Sequence, residues 1–138
     1  MKEEAEVKIG DSYEVKRTVT PEITAEAAGS GGMTVFGTPY PVAMMENAAY
    51  RLMQQELPEG KGSVGTKVDI VHTAPTPLGM EVTVRAEVTA VSPNGKMVDF
   101  RVTAWDEVGP IGEGTHQRAV IDVQRFLAKC ESKKEQKS

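Results

Sequence analysis

A single long helix is predicted by residues 38–56, TPYPVAMMENAAYRLMQQE. Thr38 is a suitable N-cap residue, and Pro39 has the fixed φ that suits the first helical position. The residues that follow, LPEG at 57–60, end the helical pattern. The apolar residues that recur at helical spacing are Val42, Met45, Ala49, Leu52 and Met53. The helix therefore has one apolar face to bury against the rest of the protein.

Glu46 lies inside this apolar stripe, four residues after Val42 and three before Ala49. A carboxylate on the buried side of a helix costs free energy unless another group satisfies it. Two interpretations are open: Glu46 is a functional group, or it forms a buried ion pair with an arginine. On the residue pattern alone, Glu46 is the strongest functional candidate in the chain.

The segments around the helix predict β-strands. One alternating segment, at about 12–20, precedes the helix, and four more follow it at about 66–73, 80–90, 97–105 and 112–123. Asn94-Gly95 is a strong signal for a hairpin between two of them. Short connections imply an antiparallel sheet. We expect an α+β fold in which this sheet wraps around the one long helix, as in a hotdog domain, although periodicity alone also permits other α+β sandwiches.

The remaining segments are predicted to be irregular. Residues 1–8 form a flexible N-terminus, residues 9–128 the folded domain, and residues 129–138 a charged, flexible tail. Residues 25–32, AEAAGSGG, are either a connector or a mobile lid. The connector is the simpler interpretation.

Composition excludes several classes of function. The chain has 138 residues, a net charge of −4, two histidines and one cysteine, Cys130. The charge lacks the basic surplus that nucleic-acid binding needs, and the histidines and cysteine cannot form a structural zinc site. No apolar leader or membrane-spanning stretch is present. We expect a soluble, cytoplasmic protein that uses no metal or cofactor and binds neither nucleic acid nor membrane.

Polar residues on the apolar faces of strands are the other candidates. His72 alternates with Val68 and Ile70, and such a histidine is either a hydrogen-bonded core residue or a catalyst. Arg118 shares a strand face with His116, where an arginine is usually a surface or ion-pairing group. The string GKGSVG at 60–65 follows a helix and opens a strand, so it is not a dinucleotide-binding fingerprint.

Three stretches together resemble the fluoroacetyl-CoA thioesterase-like branch of the hotdog thioesterases. They are GSVGT at 62–66, HTAPTP at 72–77 and GEGTHQRAVI at 112–121. The likeness covers about residues 9–130. Thr38 and Glu46 match the threonine and helix glutamate of that family at the same separation of eight, and the interval from Glu46 to His72 matches as well. These matches are more specific together than any one of them.

The resemblance implies a cofactor-free acyl-CoA thioesterase that hydrolyses a short or medium acyl-CoA, including fluoroacetyl-CoA-like substrates, to free acid and coenzyme A. Thr38, Glu46 and His72 form the implied catalytic set. Gly65, Arg118 and Phe36 form the implied substrate-binding set, with the Gly65 N–H directed at the thioester carbonyl oxygen. Hotdog domains pair, so the resemblance also implies a homodimer or a higher oligomer with active sites across the interface.

The roles within the catalytic set are open. Glu46 activates water or attacks the thioester itself, His72 is the natural proton shuttle, and Thr38 positions water, attacks, or bonds to Glu46. Eight helical residues place Thr38 about 12 Å along the axis from Glu46, so contact between them requires a later helix start or a second subunit.

The sequence departs from the family just before Thr38. Gly29 and Gly32 stand where the fluoroacetyl-specific enzyme carries bulky aromatics, and Phe36 is the only aromatic nearby. We therefore expect a more open acyl pocket. The alternative function is a non-catalytic hotdog protein that binds acyl-CoA or another small ligand. A hotdog hydratase is disfavoured, because Lys67 stands five residues before His72, where an Asp is expected.

Overall fold

The computed structural model describes residues 6–137, which contain five strands and four helices. The strands are β1 (Ser12–Thr18), β2 (Lys61–His72), β3 (Glu81–Val91), β4 (Met97–Asp106) and β5 (Pro110–Asp122). The helices are α1 (Ala25–Ala28), α2 (Pro39–Glu56), α3 (Val123–Glu131) and α4 (Lys133–Gln136), and a 3₁₀ turn covers Pro21–Ile23. The long helix has the bounds predicted from the sequence.

The five strands form one antiparallel sheet in the order β1-β3-β4-β5-β2. The predicted hairpin between β3 and β4 is confirmed. Its turn closes where the Gly95 N–H donates to the Ser92 carbonyl at 2.8 Å, and Gly95 has φ +73°, a conformation that glycine adopts without strain. Consecutive strands β3, β4 and β5 therefore pair directly, while β1 and β2 lie at the two edges.

Helix α2 packs its apolar stripe against one face of this sheet. Ala48 and Ala49 are fully buried, and the small side chains let the helix approach the strands closely. Each large apolar side chain buried in this layer contributes roughly 1.5–3 kcal/mol relative to exposure. The facing core residues of the sheet include Val82, Val84, Phe100 and Val102. The expected arrangement of one sheet around one long helix is confirmed.

An irregularity in β2 controls which side chains face the helix. Gly65 pairs with Arg118, and Lys67 pairs with Gln117, so Thr66 is an extra residue in the strand. Beyond this bulge, Val68 pairs with His116. The other edge of β2 pairs with no strand within residues 6–137.

Two strand features differ from the prediction. β2 begins at Lys61 rather than near residue 66, because the glycines at 62 and 65 lie within the paired strand instead of in a loop. Ala90 is exposed, although strict alternation from Val88 places it on the buried face. The register shifts between these two residues, so the alternation breaks at that point.

The chain ends also differ from expectation. Residues 123–136 are largely helical, and the Asp122 carboxylate accepts a hydrogen bond from the Arg125 N–H at the start of α3. At the other end, Val7 is only 8% exposed and joins the core, while residues 1–5 of the predicted flexible segment lie outside the described residues. Within the described chain, no helix combines the length and apolar character needed to cross a bilayer.

Candidate active site

Thr38 and His72 form a side-chain pair at the start of α2. Thr38 Oγ1 lies 2.8 Å from His72 Nδ1. Thr38 occupies the N-cap position, as predicted, but has helical φ and ψ of −51° and −37° and makes no capping hydrogen bond. The prediction that Thr38 caps the helix is therefore wrong for its side chain, because the hydroxyl is directed to the imidazole instead.

The segment before Thr38 is held in place by backbone hydrogen bonds. The Phe36 N–H donates to the Thr76 carbonyl at 2.9 Å, and the Gly37 N–H donates to the Ile23 carbonyl at 3.2 Å. A Cβ atom at Gly37 would lie 2.7 Å from the Ala25 nitrogen, so a side chain cannot be accommodated there without a backbone shift. This close approach fixes the direction in which the chain enters α2 and brings Thr38 to His72.

His72 keeps one ring nitrogen available. Its Nε2 atom is buried and has no hydrogen-bond partner among the described residues. Burial lowers the pKa of His72, and a backbone hydrogen bond at Ala74 opposes this shift. The imidazole is therefore mainly neutral near pH 7, and a buried polar atom without a partner is a common mark of a functional site.

A cavity of about 290 Å³ adjoins this pair. Its wall includes Met33, Phe36, Thr38 and His72. Phe36 is 1% exposed, and its ring meets the His72 ring edge-on at 6.5 Å. The segment interpreted above as a connector or lid contributes Ala25, Ser30 and Gly31 to the wall, so it borders this cavity and adds only small side chains to it.

Glu46 lies in a second group of side chains, around Gly65. A Cβ atom built on Gly65 would lie 3.0 Å from Glu46 Oε2, 3.2 Å from His116 Cε1 and 3.5 Å from Arg118 Nη1. The backbone of Gly65, a carboxylate, an imidazole and a guanidinium therefore meet at one point. Glu46 is half-buried and forms no ion pair with any residue in the described part of the chain.

Arg118 is buried, with 6% of its surface exposed. Its Nε donates to Ser63 Oγ at 2.9 Å, its Nη2 donates to the Ser63 carbonyl at 3.0 Å, and its guanidinium carbon lies 5.9 Å from the Tyr50 ring centroid. Burial lowers the pKa of Arg118, while Glu46 and Tyr50 act in the opposite direction. Of the interpretations given for Arg118, that of a surface group is wrong, because α2 covers the strand face that Arg118 occupies. Its role in substrate binding stays a prediction.

The two groups of side chains are separate within one chain. Eight residues of α2 between Thr38 and Glu46 correspond to about 12 Å along the helix axis. Seven residues of β2 between Gly65 and His72 correspond to about 23 Å along the strand. The fold therefore brings Thr38 to His72 and Glu46 to Gly65 and Arg118, but it does not bring all three predicted catalytic residues together.

His116 also belongs to the second group of side chains, although the sequence alone assigns it no role. It is 2% exposed, and its Nε2 lies 3.2 Å from Arg118 Nη1. The signal in the sequence is that His116 and Arg118 are two residues apart on one strand and so share a face. Within residues 6–137, no group of three or more His, Cys, Asp or Glu side chains is arranged to hold a metal ion.

The sequence matches a characterised family over most of its length. Residues 19–124 match the family described as fluoroacetyl-CoA-specific thioesterase. The fluoroacetyl-CoA thioesterase of Streptantibioticus cattleyicolor is 46% identical over 99 residues, which are 72% of this chain and 70% of that enzyme.

Solved structures show the same similarity. A structure of the fluoroacetyl-CoA thioesterase is 37% identical with a TM-score of 0.84, and the match covers 96% of this chain and 98% of that one. A thioesterase superfamily member from Thermus thermophilus is 29% identical with a TM-score of 0.85, and the match covers 94% of each chain. The hotdog fold expected from the sequence is confirmed by these structures.

Proposed function

The chain belongs to the fluoroacetyl-CoA-specific thioesterase family, and we propose that it hydrolyses a short or medium acyl-CoA with Thr38, Glu46 and His72 as its catalytic residues. Its activity is that of an acyl-CoA thioesterase. The assignment of residues depends mainly on the Thr38–His72 pair, because both residues line the cavity and His72 Nε2 has no hydrogen-bond partner among the described residues.

The proposed active unit is a homodimer in which each site combines residues of two subunits. The separation of the Thr38–His72 pair from Glu46 supports this proposal, because one chain holds two of the three residues at one place and the third at another. The edge of β2 that pairs with no strand in the described part of the chain offers a surface for the pairing. If two β2 strands pair antiparallel about a two-fold axis between Val68 and Asp69, Gly65 of one subunit lies opposite His72 of the other.

Gly65 and Arg118 are proposed to bind the thioester. The Gly65 N–H is the candidate donor to the carbonyl oxygen, which gains negative charge as the carbonyl carbon becomes tetrahedral. The buried Arg118 guanidinium lies against Gly65 and keeps its positive charge in a water-poor environment, where it stabilises that developing charge more than it would in water.

Glu46 and His72 are proposed to manage the proton. Water supplies the oxygen of the product acid, the carbon–sulfur bond breaks, and the proton removed from water is the one that the departing sulfur needs. Glu46 either removes this proton or adds to the carbonyl carbon, in which case water then cleaves the resulting anhydride. Thr38 orients the His72 ring, so that the neutral Nε2 faces the site and can carry the proton.

The cavity supports a small acyl group as substrate. Its volume of about 290 Å³ lies near the lower end for small-molecule sites. Gly31 and Ser30 at its wall leave room that larger side chains would fill. We therefore propose hydrolysis of several short and medium acyl-CoA thioesters, with fluoroacetyl-CoA as one substrate among them rather than the only one.

The test is thiol release from a panel of acyl-CoA thioesters, including acetyl-, fluoroacetyl- and hexanoyl-CoA. Wild type is expected to release thiol, and His72→Ala and Glu46→Ala are expected to lose this activity while remaining folded. Equal rates for the three proteins would remove the proposed roles. Thermal stabilisation of the wild type by acyl-CoA without thiol release from any thioester would instead establish a binding protein.

A further inference from the structure

His116 joins the sheet to Arg118 through both of its ring nitrogens. Nδ1 lies 2.9 Å from the Lys67 carbonyl oxygen, and Nε2 lies 3.2 Å from Arg118 Nη1. The ring also stacks on Phe100, with centroids 6.1 Å apart and an interplanar angle of 28°. With 2% of its surface exposed, the imidazole has no room to turn away from these partners.

These contacts select one form of the imidazole. A carbonyl oxygen only accepts hydrogen bonds, so Nδ1 must carry the hydrogen and donate it to Lys67. A guanidinium only donates, so Nε2 must keep its lone pair and accept from Arg118. A doubly protonated ring would direct a second N–H at the guanidinium. The geometry is therefore that of the neutral imidazole with hydrogen on Nδ1.

Both partners of His116 adjoin the point where the thioester is proposed to bind. The extra residue of the β2 bulge, Thr66, lies between Gly65 and Lys67. Arg118 pairs with Gly65 across the sheet. The position of the Gly65 backbone and the direction of the guanidinium thus both depend on the same ring.

We propose that His116 is a positioning residue of the thioesterase site, which orients Arg118 and anchors the β2 bulge beside Gly65 through its Nδ1-protonated, neutral ring. This inference rests on the proposed function of Gly65 and Arg118. Both ring nitrogens of His116 are engaged by Lys67 and Arg118, so neither is free to exchange a proton with the substrate. It determines where the positive charge and the backbone donor lie.

The charges around His116 agree with this role. Arg118 faces it from the same strand, Glu46 faces it from α2, and the apolar Phe100 covers it from β4. Burial lowers the pKa of His116, and Arg118 lowers it further, while the Lys67 carbonyl and Glu46 raise it. The sum of these effects is a lowered pKa, so the neutral ring predominates near pH 7.

Two substitutions of similar size separate orientation of Arg118 from packing. His116→Gln supplies an amide oxygen that accepts from Arg118, whereas His116→Met fills the same space without a strong acceptor. We expect kcat/KM of His116→Met to be at least about ten-fold below that of His116→Gln at similar Tm. Equal kcat/KM in the two variants would overturn the proposal.

A double-mutant cycle tests whether His116 affects kcat/KM through Arg118. In an Arg118→Met background, the same exchange between Gln and Met at position 116 is expected to change kcat/KM by less than about two-fold. A full ten-fold effect in that background would mean that His116 does not act through Arg118, and the proposal would be wrong.

The ring form is measured independently of activity by ¹H–¹⁵N correlation NMR of the wild-type imidazoles near pH 7. We expect His116 as the neutral Nδ1–H form. A neutral Nε2–H form or a doubly protonated ring would overturn the proposal even if the Met variant does not fold. This spectrum tests His116 whether or not thiol is released, so its outcome is distinct from failure of the proposed thioesterase function.

Discussion

Thr38 and His72 lie 34 residues apart in the chain, yet Thr38 Oγ1 and His72 Nδ1 are 2.8 Å apart. If the hydroxyl orients the imidazole, Thr38→Ser should retain most of the turnover, because it keeps the oxygen. Thr38→Val keeps the shape without the oxygen, and we expect kcat to fall by roughly 10²-fold or more. Thiol release measures both variants, with Thr18→Val on the exposed part of β1 as the control. Equal kcat for the Ser and Val variants would show that the hydroxyl has no role.

Glu46→Gln tests the carboxylate while preserving side-chain size. Because the amide neither accepts a proton nor attacks the thioester, we expect kcat to fall by about 10²- to 10⁴-fold. Glu59→Gln removes the same charge from the exposed loop after α2 and should leave kcat unchanged. Wild-type turnover in Glu46→Gln would exclude the carboxylate from the reaction.

Mixed dimers test whether each site uses two subunits. In a heterodimer of one Glu46→Gln subunit and one His72→Ala subunit, both changes fall in the same shared site, and the other site is intact. We therefore expect about half of the wild-type turnover per dimer, although each parent homodimer is inactive. Differently tagged subunits allow the heterodimer to be purified and assayed.

The matched control for this experiment combines Thr38→Val with His72→Ala. Thr38 and His72 of one subunit belong to the same site, so each subunit of this heterodimer carries a damaged pair. Neither site is intact, and the heterodimer should remain inactive. An inactive Glu46→Gln/His72→Ala heterodimer would contradict the shared site.

Gly65→Ala places a methyl group among the functional side chains. The new Cβ would lie 3.0 Å from Glu46 Oε2 and 3.2 Å from His116 Cε1, so the carboxylate must move. We expect kcat to fall by about 10- to 100-fold, because small displacements of reacting groups have large effects on rate. Gly109→Ala meets no atom within 4 Å and is the control for thiol release. Unchanged kcat in Gly65→Ala would show that the site tolerates the displacement.

The two histidines, His116 buried and His72 half-buried, predict a pH dependence of stability. The pKa values of His72 and His116 are both lowered by burial from the ordinary 6.5. Below 6.5 the unfolded chain therefore binds protons that the native protein excludes, so the free energy of unfolding is largest above 6.5 and decreases as pH falls through the lowered pKa values. Urea unfolding between about pH 5 and pH 8 measures this change. The free energy of unfolding should change by at most about 1.4 kcal/mol per pH unit for each histidine.

His116→Gln should make that decrease less steep, because one of the two groups is removed. Asp106 and Asp122 also have lowered pKa values, but these carboxylates change the stability only at pH values below 3.8, outside the measured range. An identical pH dependence in wild type and His116→Gln would contradict the lowered pKa of His116.

The sequence predicts most of the fold because its local signals agree with the packing. Thr38, Pro39 and the apolar spacing that follows define α2, and Asn94-Gly95 defines a hairpin. The start of β2 escapes prediction because Gly62 and Gly65 weaken the strand signal, and pairing with β5 overrides it. Helix α3 does have a sequence signal, because helical spacing relates Val123, Phe126, Leu127 and Cys130. The charged residues among them make the segment look like a flexible tail.

The residues of the site are easier to predict than their grouping. Glu46 and His72 stand out because each places a polar group on an apolar face. The pairing of Thr38 with His72, and of Glu46 with Gly65, depends on how α2 lies across the sheet and leaves no local signal. The N-cap signal of Thr38 indicates the correct position and the wrong hydrogen bond, because a hydroxyl can serve either purpose.

The regular geometry of α2 makes the number of residues between Thr38 and Glu46 more important than their identity. Adding or deleting one residue in this interval would turn Glu46 by about 100° around the helix axis, away from Gly65. Substitutions on the exposed side, such as at Ala43, leave this angle unchanged. The exposed positions of this interval can therefore change in composition, but a change in its length would separate Glu46 from Gly65.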